Sequence, residues 1–161
     1  MTTLTASAER LIADSPEHLY ELVNDFAEHH PRILPKAFSD FTVETGGVGV
    51  GTVTASTFRM GGRTDRIRTR VVGSEPGRLI EEIVLGRVMT TSFTFRPDVS
   101  GTRVAIDTTW RPAGGISGLL ERRFAPRMLS RIYAEELERL DAYAVEQRAA
   151  QRRAGSLPAA A

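Results

Sequence analysis

The sequence predicts an α+β fold: a curved seven-stranded antiparallel sheet wrapped around one long C-terminal helix, with two short helices between the first two strands. Three observations predict it. From Leu129 onward the apolar residues Ile132, Tyr133, Leu137, Leu140, Tyr143 and Ala144 recur at helical spacing. Arg131, Glu135, Glu138, Arg139, Asp141 and Glu146 fall on the opposite side, so one face of this helix meets protein and the other water. Before it, residues 38–111 read as alternating runs whose separators are too short for parallel crossovers. A lone helix that follows antiparallel strands must bury its stripe against their sheet.

Taken in order, residues 2–13 form the first expected strand, with Leu4, Ala6, Ala8 and Ile12 on one side and Thr5, Ser7 and Glu9 on the other. Asp14-Ser15-Pro16-Glu17 starts a helix: Ser15 caps, Pro16 suits the first helical position and Glu17 favours the dipole. That helix puts Leu19, Leu22, Val23 and Phe26 on one face. Pro31 and Pro35 stop it, and Ile33-Leu34 between them makes a separate short helical turn. Strands are then expected at 38–45, 49–60, 63–73, 78–85, 88–96 and 102–111. Gly46-Gly47, Gly61-Gly62, Pro76-Gly77, Gly86 and the run 98–101 separate them with turn chemistry.

Alternation sorts the strands into faces. Asp65, Ile67, Thr69 and Val71 oppose Arg66, Arg68 and Arg70; Met89, Thr91, Phe93 and Phe95 oppose Thr90, Ser92, Thr94 and Arg96. Val104, Ile106, Thr108 and Trp110 oppose Arg103, Asp107 and Arg111. The sheet therefore has one wet and one covered face. The long helix is expected over 114–150, kinked or divided near Phe124-Ala125 by Pro126. Residues 1–150 make a single domain, and 151–161 a flexible tail.

Composition narrows the function classes. With no cysteine among 161 residues, disulfides, thiolate chemistry and cysteine zinc sites are excluded, which suits a reducing compartment, and the cytoplasm is the expected one. The first ten residues carry no basic region followed by an apolar run, so no signal peptide is expected. No stretch approaches the roughly 18 apolar residues of a membrane span, so stable membrane insertion is not expected. A net charge of +1 argues against a nucleic-acid footprint. Among the histidines His18, His29 and His30, adjacent His29 and His30 point about 100° apart on a helix. No acidic residue is seen at a ligand-like spacing to them, so neither a metal site nor a cofactor is expected.

The order of elements resembles the helix-grip fold of the START-related (SRPBCC) superfamily, and within it the polyketide cyclase/dehydrase and lipid-transport branch. The resemblance runs from residue 3 to 143 and is carried locally by three stretches. They are Ala13-Asp14-Ser15-Pro16-Glu17, Gly47-Val48-Gly49-Val50-Gly51-Thr52 and Phe124-Ala125-Pro126-Arg127. These are scaffold signatures, so they speak to fold before function. The resemblance implies a deep cavity between sheet and helix that takes lipids, sterol-like rings, polyketides or quinone-type compounds. The residues agree independently, because one helix cannot fill the concave side of a seven-stranded sheet.

If the face holding Asp65 and Thr69 lines that cavity, Asp65 is the candidate catalytic acid, or orients a ligand hydroxyl. The alternative sets it at the wet rim beside Gly61-Gly62, with Arg59 a possible partner across the hairpin. Trp110 would stack on a ring while Thr108 supplies a hydrogen bond, or else the indole is core. Phe58, Met89, Thr91 and Phe93 are candidate wall residues under the same choice, as is Met60. Tyr133 faces the sheet, so its hydroxyl needs a protein or ligand partner. Two main readings follow: a carrier or binding protein for an apolar or amphipathic small molecule, monomeric or homodimeric, or a polyketide cyclase/aromatase-type lyase. A third is a toxin-like or regulatory interaction module using the arginine stripe on the outer sheet.

Overall fold

Turn chemistry and alternation place the elements close to where the sequence sets them in the computed structural model, which describes residues 2–156. They are β1 (Leu4–Ile12), α1 (Pro16–Asn24), α2 (His30–Ile33), β2 (Phe38–Thr45), β3 (Val53–Met60), β4 (Arg63–Glu75), β5 (Leu79–Val84), β6 (Met89–Asp98), β7 (Gly101–Trp110) and α3 (Gly115–Gly155). Ser15 caps α1 by accepting from the His18 amide at 3.2 Å, with Pro16 in its first turn.

Beyond shifts of a residue or two at strand ends, three features differ from expectation. β3 begins at Val53 rather than 49, because Gly49 and Gly51 adopt φ of 71° and 90° and turn the chain away from extended geometry. The Gly47 carbonyl on this turn accepts from the Phe26 amide at 2.7 Å, so the turn is docked on the end of α1. Pro126 does not divide α3. The carbonyl it leaves without a donor, that of Arg122, lies on an exposed part of the helix where water can satisfy it. Finally, α3 continues past Ala150 to Gly155, so residues 151–155 of the expected tail are exposed helix; residues 157–161 lie outside the described residues.

The strands form one sheet in the order β1-β7-β6-β5-β4-β3-β2, every neighbouring pair antiparallel. Pairing Ala6 with Thr108, Thr108 with Thr91, Thr91 with Glu82 and Glu82 with Val71 draws one row across five strands on the inner face. On the outer face the arginine stripe is engaged: Arg68 forks onto Glu44, with its shortest contact at 2.5 Å, and Arg66 donates to the Asp40 carbonyl.

Leu129, Tyr133, Leu137, Leu140 and Ala144 of α3 are all buried, as the stripe requires. The helix does not lie over the centre of the sheet. It packs on edge strand β1 and on α1 and α2, tied by the Arg10–Asp141 ion pair at 2.8 Å and a His29–Tyr143 hydrogen bond at 2.8 Å. α1 packs against β5 and β6, and a space is left between α3 and the inner faces of β3 to β6. This is a helix grip with an open palm.

Candidate ligand cavity

That inner face bounds a cavity of about 1020 Å³. Phe58, Ile67, Met89 and Phe93 from the strands, Phe26 beside α1, and Leu129 from α3 form much of its wall. Its inner end is closed by buried Phe26, His30, Phe93 and Tyr133, whereas exposed Arg63, Arg87, Val88, Leu120 and Phe124 stand at its mouth. A space at the top of the usual range for small-molecule sites suits a body of several rings or a long chain.

Of the residues singled out in the sequence, Phe58, Asp65, Thr69, Met89, Thr91, Phe93, Trp110 and Tyr133 lie on this wall. Thr108 stands one layer behind it. Its hydroxyl is fully covered and held between Thr91 at 2.7 Å and Tyr133 at 2.5 Å. The Tyr133 partner is thus a protein group. The Trp110 indole donates to Glu121 of α3 at 2.8 Å, and the other Glu121 oxygen accepts from the Ala113 amide, so this carboxylate splices β7 to the helix start. Asp65 sits near the mouth with its side chain 34% exposed, 3.5 Å from the exposed Arg87 guanidinium. Arg59 turns instead to Ser39, at 2.7 Å.

The Tyr133–Thr108–Thr91 chain gives a stability prediction. Thr108→Val leaves two hydroxyls in the interior short of a partner and is expected to cost about 2 kcal/mol. Tyr133→Phe leaves Thr108 still bonded to Thr91 and costs less, about 1 kcal/mol. Urea denaturation of the two variants checks the order.

Two polar side chains went unread in the sequence, Glu82 and Glu136, and both line the cavity with His30, which is buried rather than on an exposed turn. Glu82 follows Ile80 and precedes Val84 on the inward side of β5, so alternation alone puts a carboxyl on the covered face. Glu136 lies within the buried stripe of α3, one turn from both Tyr133 and Leu140, and is 3% exposed. The surface that Glu82 retains belongs to the cavity, and its Oε1 is fully covered without a hydrogen-bond partner among the described residues. Desolvation pushes the Glu82 carboxyl up to about 7. Desolvation, and then the charge of Glu82, push Glu136 up to about 8. Tyr133 is raised by desolvation as well.

His30 is buried among aromatic rings, 4.4 Å from the Phe26 centroid, and desolvation lowers it to about 4. Its Nδ1 donates to the Val23 carbonyl at 2.8 Å, which fixes the neutral tautomer with Nε2 unprotonated.

The expectation that no acidic residue stands near the histidines at ligand spacing needs correction: Asp25, Glu28 and His29 bring ligand atoms within 4.8 Å of one another. The fold brings them together as a chain turn. Asp25 accepts from the Ala27 and Glu28 amides at 3.0 and 2.9 Å, and His29 bonds Tyr143. Among the described residues no helix is long and apolar enough to cross a membrane.

Comparison with known proteins agrees with this geometry. The sequence profile described as "Polyketide cyclase / dehydrase and lipid transport" matches residues 3–145. No curated protein matches the sequence. Among solved structures, KanY is 29% identical with a TM-score of 0.79, covering 89% of this chain and 99% of its own. The Zhui aromatase/cyclase from a Streptomyces species is 13% identical with a TM-score of 0.74, covering 91% and 96%. Major latex-like protein 151 from Panax ginseng is 12% identical with a TM-score of 0.71, covering 89% and 98%. The last two likenesses concern the fold alone. A profile matched over nearly the whole chain, on a sheet gripping one long helix, makes this protein a member of the polyketide cyclase/dehydrase and lipid transport family of the SRPBCC superfamily.

Proposed function

We propose that the protein takes a small hydrophobic or amphipathic molecule, lipid-, polyketide- or quinone-like, into this cavity as a cytoplasmic carrier or binding protein. The observation that carries the reading is a space of about 1020 Å³ whose wall is mainly apolar in surface, with polar side chains set into it. Filling that space is the direct test. Ile67→Trp, from the centre of β4, is expected to weaken binding of the neutral fluorophore N-phenylnaphthylamine by about ten-fold or more while leaving the fold intact. Equal affinity in the variant would place the binding elsewhere.

A second reading, the polyketide cyclase/aromatase-type lyase, is favoured by one feature: two carboxyls titrating near neutral pH beside the Tyr133 hydroxyl chain. Groups poised in this way suit proton transfer, with the cavity holding a chain folded for ring closure and loss of water. Asp65 is a further proposed acid, at the mouth, where the Asp65→Asn variant should lose turnover with little change in affinity. A polyketide recovered lighter by one water after incubation with the wild type, and unchanged by Glu136→Gln, would support this reading over simple carriage.

A further inference from the structure

We propose that the natural ligand carries a basic nitrogen, held as an ammonium between Glu82 and Glu136 at the inner end of the cavity. This rests on the cavity reading and adds the chemistry of the ligand's buried end.

The charges on the wall are unequally distributed. Glu82 reaches it from β5 and Glu136 from α3, and among the described residues neither has a cationic partner. The arginines of the wall, Arg63, Arg87 and Arg111, are exposed and stand at the mouth, where Asp65 and Glu121 accompany them. The one inner base, His30, is neutral, and its Nδ1–H is already given to the Val23 carbonyl. Tyr133, the remaining titratable group there, has its hydroxyl engaged with that of Thr108.

Enclosed carboxyls are ordinarily paired, because an unpaired one must stay protonated or pay for desolvation. Here the covered Glu82 Oε1 has no partner among the described residues, and the carboxyl also lines the cavity. An ammonium group supplies what both carboxyls lack. The surrounding wall favours the same guest, since Phe93, Phe26 and Tyr133 line it and aromatic rings attract organic cations. A carboxylate at the same depth would meet like charge. A neutral carbonyl would bond the carboxyls only in their protonated form, so its binding would weaken as they ionise.

No covalent step is involved. The amine arrives protonated, both carboxyls ionise against it, and the proton that one of them still held passes to the buffer. Binding near neutral pH therefore releases on the order of one proton per ligand.

Calorimetry with decylamine, decanol and decanoate, in two buffers of different ionisation enthalpy, tests this. Decylamine should bind at least about ten-fold tighter than decanol, with proton release, and decanoate should bind weakest. In Glu136→Gln, and in the double variant with Glu82→Gln, the amine-to-alcohol ratio should collapse toward one. An amine that binds no better than the alcohol overturns the inference and leaves the cavity reading standing. So does a preference that survives in both variants. If none of the three probes binds the wild type, the inference and the cavity reading fall together.

Discussion

Glu136→Gln is expected to stabilise the protein at pH 8 and to lose that advantage as the pH falls toward 4.5. In the folded state Glu136 titrates at about 8 against an ordinary value of 4.5, so between those values the fold holds a proton that the unfolded chain releases. The stability tied to a raised carboxyl is fully present below the unfolded value and is lost as the pH rises through the folded one. Each group contributes a slope of about 1.4 kcal/mol per pH unit while its proton differs between the two states. Glu82 acts in the same direction up to about 7. His30 acts in the other direction: its folded value is depressed to about 4 from 6.5, so its contribution is present above 6.5 and lost as the pH falls below it. The window from 8 down to 6.5 therefore reports the carboxyls without opposition, and the wild type should gain stability across it. At pH 8 the glutamine variant should lead by about 2–3 kcal/mol, an amount reduced from the full linkage value for relaxation and water in the cavity. Urea titrations at the two ends of the window measure the slope. A variant as steeply pH-dependent as the wild type would contradict the assignment.

Gly101→Ala should be among the most damaging single-methyl changes. Gly101 opens β7 at φ 140°, and a Cβ there would stand 2.1 Å from the Ile12 carbonyl oxygen and 2.8 Å from the Ala13 Cα. Both neighbours are backbone, at the junction where β1 gives way to α1, so neither can turn aside as a flexible side chain would. The same junction is held by Thr102 donating to the Asp14 carbonyl at 2.7 Å. Clash and strain together are expected to cost about 3 kcal/mol, or roughly 6–12 °C in Tm for a chain of this size. Gly86→Ala is the control. Its φ is 80° but nothing lies within 4 Å of its added methyl, so it should lose only about 1 kcal/mol. Thermal unfolding of both separates close approach from backbone angle, and equal losses would show that the junction yields.

Most of the fold was legible because it rests on local rules. Alternation in the strands at 63–73 and 88–96 gave their inward residues, and the stripe from Leu129 gave the buried side of α3. The seat of α3 was less legible. A helical stripe says that a face is covered, and it does not distinguish the middle of a sheet from its edge strand and two short helices. That seat is what empties the palm and makes the cavity. The polar side of the cavity was missed for a related reason. Glu82 and Glu136 occupy apolar registers, between Ile80 and Val84 and between Tyr133 and Leu140, where a pattern search counts hydrophobic residues and passes over the charge. Asp65 belongs to a well-alternating face, which placed it among the inward residues. Its depth depends on how far the hairpin tip at Gly61-Gly62 extends toward Met128 of α3, and that is a tertiary distance. Thr108 has the right face but the wrong layer, since its hydroxyl lies beneath Tyr133.

The central claim is that the cavity of about 1020 Å³ is a ligand site, and the most direct measurement is native mass spectrometry of the freshly purified protein against the same sample denatured. The account predicts an added small-molecule mass in the native spectrum alone, of an amphipathic compound, and its loss in Ile67→Trp. A native spectrum at the bare protein mass, together with no binding of N-phenylnaphthylamine, would contradict it.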